Sequence, residues 1–229
     1  MAKLTQSAKM ISGRGGLSVK VKTAKFRKKS SNQWLQRQLN DPYVAEAKRQ
    51  GYRARAAFKL IQLDEKYKFL GKGKRIVDLG CAPGGWLQVA VVRNKGQGIV
   101  VGIDILETQP VAGAHILMQD FTEPSASENL KSILNGSADI VMSDMAANTT
   151  GHKQTDHLRT IGLVEQGYEF AKEVLAEGGI FISKVFQGGA EAGLLADAKK
   201  HFAKVTHFKP DASRKESPET YLVAIGFRG

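Results

Sequence analysis

The chain has one cysteine, Cys81, in 229 residues. A single thiol excludes an internal disulfide framework and a cysteine-based zinc site. The five histidines, His115, His152, His157, His201 and His207, show no helical ligand spacing, so no structural metal is expected. Long apolar runs are missing as well. No stretch approaches the roughly 18 apolar residues of a membrane-spanning helix, and the N-terminus lacks the apolar core of a secretory signal. The expectation is a cytoplasmic protein with no membrane partner. The acid-poor, serine-containing N-terminus keeps a mitochondrial transit peptide open as the alternative.

Acidic residues are scarce at one end only. Residues 1–75 hold 20 Lys/Arg against 4 acids, whereas residues 76–229 hold 14 against 18. The overall charge of +12 is therefore a basic front attached to a mildly acidic body. Such asymmetry points to a polyanionic partner. Residues 1–30 carry nine Lys/Arg and no acid. Charge without apolar content cannot offset the entropy of ordering, so an arm over 1–30, disordered when free, is expected ahead of a single domain over 31–229.

The domain opens with helices over 31–70. Asp41-Pro42 has the form of an N-cap followed by proline at the first helical position, and Gly51 stops that helix. A second helix is predicted over 54–67, ended by Gly71 and Gly73. From residue 74 the pattern changes. Strands are predicted at 75–79, 98–103, 115–118, 138–143, 179–185, 204–208 and 220–227. Helices are predicted at 85–93, 127–134, 156–175 and 190–202. Apolar, β-branched strands alternating with helices imply an α/β fold with a mostly parallel sheet covered on both faces. The last two strands lack an intervening helix, so the seven-stranded sheet should end in an antiparallel strand.

The sharpest local signal is Val77-Asp78-Leu79-Gly80-Cys81-Ala82-Pro83-Gly84-Gly85-Trp86, where the first strand meets a helix. Gly80 permits the turn, and Gly84 and Gly85 let a ligand approach the backbone. Ala82 occupies the second glycine position of the dinucleotide fingerprint, and no phosphate-gripping loop is present. Asp104 ends the next strand, where a carboxylate can bond ribose hydroxyls. Asp120 ends the third and can accept from an adenine amino group, and Phe121 beside it is a further candidate cofactor contact. Acids at successive strand ends beside a glycine turn, with no phosphate clamp, fit S-adenosylmethionine better than NAD.

Asp144 ends the fourth strand, and Lys184 lies near the end of the fifth in Ile182-Ser183-Lys184-Val185-Phe186. A lysine inside an apolar strand is costly to bury without a partner, and Asp144 on the neighbouring strand end supplies one. Cys81 is expected to be a packed small residue, since no His or Asp arrangement supports thiol chemistry.

Five co-linear segments now coincide with a known family. Arg55-Ala56-Ala57-Phe58-Lys59-Leu60, Asp78 to Trp86, Asp144-Met145-Ala146, Lys184-Val185-Phe186-Gln187-Gly188, and Ser213-Arg214 with Glu219-Thr220-Tyr221 together resemble the FtsJ family of ribosomal RNA 2′-O-ribose methyltransferases. The resemblance runs from about residue 31 to the C-terminus. It implies a Rossmann-like, S-adenosylmethionine-dependent fold and a catalytic tetrad at Lys59, Asp144, Lys184 and Glu219. It also implies cofactor contacts at Gly84, Trp86, Asp104, Asp120 and Asp144. The expected substrate is a ribose, of a uridine, in large-subunit (23S) ribosomal RNA within the assembling subunit, and the expected state is a monomer. Ala147 stands where the family usually has proline, which loosens the loop after Asp144 but removes no reactive group.

Lys48, Arg49, Arg53 and Arg55 precede Lys59 in sequence and, with Arg214, are candidate RNA contacts. Trp34, Phe58 and Trp86 are stacking candidates for which core packing competes. A methyltransferase acting on tRNA or another RNA, and a non-catalytic RNA-binding module, are the rival functions. The module explains the basic front but not the tetrad.

Overall fold

The computed structural model describes residue 20 and residues 29–146, 153–186 and 192–229. The expected arm over 1–30 lies outside the described residues except at 20, 29 and 30, the last two of which already belong to the first helix; Ala147, Gln187-Gly188 and the Trp34 side chain lie outside them as well. Among the described residues three helices lead: α1 (Lys29–Leu39), α2 (Pro42–Gln50) and α3 (Ala57–Tyr67). The body follows as β1 (Arg75–Leu79), α4 (Gly85–Asn94), β2 (Ile99–Asp104), β3 (His115–Met118), α5 (Pro124–Leu134) and β4 (Ala138–Ser143). It closes with α6 (Lys153–Val174), β5 (Leu175–Phe186), α7 (Ala192–His201), β6 (Phe202–Phe208) and β7 (Glu219–Phe227).

The seven strands lie in the order β3-β2-β1-β4-β5-β7-β6. β1 to β5 are parallel, and β7 runs antiparallel to both β5 and β6. The antiparallel strand is last in the chain but not at the sheet's edge, because it inserts between β5 and β6. The order of strands reverses between β1 and β4, and such a switch point opens a crevice at the carboxyl ends of the strands. The antiparallel β7 delivers its first residue, Glu219, to that same edge.

Each face of the sheet has its own core. One joins Ile76, Ile140, Met142, Ile182, Tyr221 and Val223 to apolar residues of α2, α3 and α4. The other joins Val77, Val141, Phe181 and Leu222 to those of α5, α6 and α7. The alternation of strand side chains between two helical layers explains why the strands read as continuous apolar runs.

Local chemistry sets the helix ends. The Asp41 carboxylate accepts from the Tyr43 amide, Pro42 starts α2, and Gly51 ends it at φ 78°. The expected 54–67 helix begins three residues late, at Ala57. Residues 52–56 instead form a turn tied down by Arg53, whose guanidinium donates to three distant carbonyls. α3 ends on Lys68 in the left-handed region, ahead of the glycines expected to stop it. β5 starts at Leu175, earlier than expected, because Gly178-Gly179 lies within an irregular stretch. There the register against β4 shifts between Ala138 and Ile140. α1 falls largely within the expected 31–70 helical region but was not singled out as an element; of its 11 residues only Trp34, Leu35 and Leu39 are apolar.

Candidate active site

The glycine turn after β1 is shaped by what covers it. Gly84 caps α4 at φ 101°. A Cβ there would meet Arg53 Nη1 at 2.8 Å and Val111 Cγ2 at 3.0 Å. The Arg53 guanidinium donates to Pro83 O at 3.1 Å, Gln109 O at 2.5 Å and Pro110 O at 2.6 Å. It thereby binds the turn to the loop that follows β2. Gly80, at φ 72°, lies directly beneath the Met145 side chain, with no room for a Cβ.

Three carboxylates stand around this turn. Asp104 accepts from the Ala82 amide and the Leu106 amide, each at 2.8 Å. Asp120 accepts from the Thr122 amide at 2.9 Å and the Thr122 hydroxyl at 2.8 Å. Asp78 is only 1% exposed, and its Oδ2 has no hydrogen-bond partner among the described residues. Burial, then the charges of Asp144 and Asp104, push its pKa well above the ordinary carboxylate value. Among the described residues no lysine or arginine pairs with any of the three. A small cavity of about 50 Å³ opens here, lined by Asp78, Gly80, Gly85, Ala54, Trp86 and Asp144. Trp86 forms wall rather than surface: it is 3% exposed, donates from Nε1 to Ala56 O at 2.8 Å, and packs 5.9 Å from the Tyr221 ring. Phe121 turns to the opposite core, edge-on to Phe170.

On the other side of the switch point the acids are paired. Lys59 Nζ lies 3.3 Å from Asp144 Oδ1 and 2.9 Å from the Glu219 carboxylate. Lys184 Nζ lies 3.2 Å from Asp144 Oδ1 and also donates to the Asp144 carbonyl. The Tyr221 hydroxyl donates to Asp144 Oδ1 at 2.6 Å, and the Ser213 hydroxyl to Glu219 Oε1 at 2.7 Å. The four expected residues thus form one cluster of two cations and two anions. Burial acts to raise the Asp144 pKa, but Lys59 and Lys184 overcome it and hold the carboxyl below its ordinary value. Tyr221 moves far upward through burial and the Asp144 charge, so it remains an O–H donor. The Cys81 thiol is pushed up to about 12, chiefly by burial, which suits the packed, inert residue expected there.

The remaining basic candidates are dispersed. Lys48 is exposed on α2. Arg49 pairs with Glu46. Arg55 pairs with Asp41 at 3.0 Å and donates to Ala212 O, and Arg214 reaches Asp41 at 3.4 Å. The structure therefore gives Arg53 and Arg55 internal partners and leaves Lys48 facing solvent. Phe58 is core.

Two residues were missed in the sequence. Asp78 was not one of them: it stands in the quoted Val77–Trp86 segment as the first of the strand-end acids, although its burial was not foreseen. Tyr221 lies two positions from Glu219 and pairs in register with Lys184, so strand periodicity could have placed it. Ser213 carried no signal beyond its place in the quoted motif.

A parallel sheet with a glycine turn and acid-lined crevice at its switch point, and one antiparallel strand inserted near the edge, is the architecture of a Rossmann-like methyltransferase. A family model described as FtsJ-like methyltransferase matches residues 52–227, and the chain belongs to that family. A relative from Azorhizobium caulinodans is 61% identical over 216 residues, covering 93% of this chain and 90% of its own. One from Paramagnetospirillum magneticum is 62% identical over 222 residues, covering 95% and 91%. One from Ruegeria pomeroyi is 56% identical over 232 residues, covering 97% and 100%. All three are named ribosomal RNA large subunit methyltransferase E. The crystal structure of a ribosomal RNA methyltransferase from Plasmodium falciparum superposes with a TM-score of 0.71 at 35% identity, over 78% of this chain and 100% of that one.

Proposed function

We propose that this chain transfers the methyl group of S-adenosylmethionine to a ribose 2′-hydroxyl, of a uridine, in large-subunit ribosomal RNA of the assembling subunit. The observation that carries the reading is the Lys59–Asp144–Lys184–Glu219 cluster beside the glycine turn. The substrate class follows the names of the relatives.

The residues present fit the cofactor. The orphaned Asp78 oxygen is a buried acceptor awaiting a cationic or N–H group. Asp104, at the end of β2, retains lone pairs for ribose hydroxyls after accepting two amides. Asp120 stands at the neighbouring strand end, and Gly84 and Gly85 keep the floor free of side chains. When bound, the cofactor supplies an electrophilic methyl on a sulfonium, which leaves the protein mainly the task of alignment.

Lys184 uses two of its hydrogen-bonding positions on Asp144, the carbonyl and the carboxylate. One position remains for the acceptor 2′-oxygen. There the side chain would fix the hydroxyl's direction and take or steer its proton as that oxygen gains the methyl group. Asp144 is kept ionised by Lys59 and Lys184, so it holds Lys184 in place without competing for that proton. Tyr221 occupies one Asp144 lone pair and prevents the carboxylate from rotating. Glu219 neutralises Lys59, so the cluster carries no net charge against which an approaching phosphodiester would be misdirected.

The test is transfer of radiolabelled methyl to large ribosomal subunits from cells lacking the native modification, with tRNA as the comparison. Nucleoside digestion should place the label on a 2′-O-methylated ribose of the large-subunit RNA. Label on a base, or on tRNA alone, would refute the proposal.

A further inference from the structure

Glu219 is held by the Ser213 hydroxyl, and Ser213 sits in the ten-residue connection 209–218 between β6 and β7. Such a connection has no ladder of its own to fix it. Here it is gripped from the other side of the site. Arg55 on the approach to α3 donates to Ala212 O at 2.5 Å, and the Ala212 amide donates to Gln62 Oε1 at 2.8 Å. Arg214 reaches Asp41 Oδ2 at 3.4 Å, and Arg55 Nε lies 3.0 Å from the same oxygen as an ion pair without hydrogen-bond alignment. Asp41 is a single carboxylate, 8% exposed, serving two arginines with one oxygen while its other caps α2. Ser213 lies between the two gripped neighbours and is itself 4% exposed.

We propose that Asp41, acting through Arg55 and Arg214, is a positioning residue for the reaction: it clamps the 212–214 turn so that Ser213 orients Glu219, which orients Lys59. This inference rests on the proposed ribose methylation. The geometry supports it on three counts. Both arginines end on Asp41 rather than in solvent. Both polar groups of the Ala212 backbone are bound to the α3 region. The one hydroxyl in the turn ends on the tetrad.

Asp41→Asn separates the two duties of this side chain. An asparagine oxygen still caps α2, but the charge that gathers the two arginines is gone. Ser213→Ala removes the last link alone. Each single variant is expected to lower kcat about tenfold, the scale of a sub-ångström misplacement. The KM for ribosomal subunits and the Kd for S-adenosylmethionine should stay within about twofold. The double variant should fall no further than either single one, since both act through one contact. If Asp41→Asn does not fold, Arg214→Gln enters the same cycle. Parental kcat in Ser213→Ala, losses that multiply in the double variant, or a raised KM at unchanged kcat would each overturn the clamp. An inactive parent chain would overturn the functional reading and the clamp with it, whereas an active parent with a parental Ser213→Ala overturns the clamp alone.

Discussion

On the two sides of the sheet's switch point, carboxylates keep opposite company. On the β1–β3 side, among the described residues, Asp104 and Asp120 accept from backbone amides and a hydroxyl, and one Asp78 oxygen has no partner. On the β4–β7 side, Asp144 and Glu219 are each matched to buried lysines. The consequences diverge. Asp78 is driven toward its neutral form, and Asp144 toward its charged form. An unpaired acid in a crevice is a place for a ligand's donor groups. A paired one has its partner already and serves to hold that partner's nitrogen in place. The difference divides labour: cofactor binding on one side, alignment of the acceptor hydroxyl on the other.

Substitutions that spare one side test this division. The largest effect is expected from Lys184→Ala, with methyl transfer falling about a thousandfold while titration calorimetry shows parental cofactor affinity. Asp104→Ala should do the reverse. Losing charge-assisted hydrogen bonds should weaken cofactor binding about 10–100-fold, with single-turnover transfer at saturating cofactor near the parental rate.

A smaller effect tests the electrostatic contrast. Because burial raises the folded-state pKa of Asp78 above its unfolded value, the folded protein binds the extra proton in the window above the ordinary carboxylate range. Stability is lost as pH rises through that window. Asp78→Asn removes the titration. Its melting temperature should exceed the parent's by about 3 °C at neutral pH, and the gap should close as pH falls below the ordinary carboxylate value. A constant gap across pH would break the contrast.

The smallest effect concerns RNA. Lys48 is exposed, and Lys48→Ala should reduce the slope of log affinity against log salt by about 0.7–0.9, one phosphate contact. An unchanged slope would remove Lys48 from the RNA path.

How much of this was legible follows from what each feature depends on. Strands such as Ile99–Asp104 were readable because burial on both faces leaves a run of β-branched residues. The α2 start was readable because an Asp-Pro pair encodes its own cap. The insertion of β7 between β5 and β6 was not, since strand order depends on pairing across the sheet and leaves no local pattern. The lysines and acids of the cluster stood out because charge inside apolar segments is costly. Tyr221 and Ser213 did not, because a hydroxyl in a strand or turn carries no such cost. The partners of the basic candidates were not legible either. Arg53 and Arg55 of the basic front, and Arg214 of the body, were expected as RNA contacts from charge alone, and their guanidinium groups reach carbonyls and Asp41 within the fold. Composition records charge, but only tertiary contacts record its partner.

The central claim is the separation of binding from transfer across the switch point. The most direct test measures cofactor Kd and single-turnover methyl transfer together in Lys184→Ala and Asp104→Ala. The account predicts a crossover, with transfer lost and affinity kept in the first, and affinity lost and saturated transfer kept in the second. Parallel loss of both quantities in both variants, or near-parental transfer by Lys184→Ala, would contradict it.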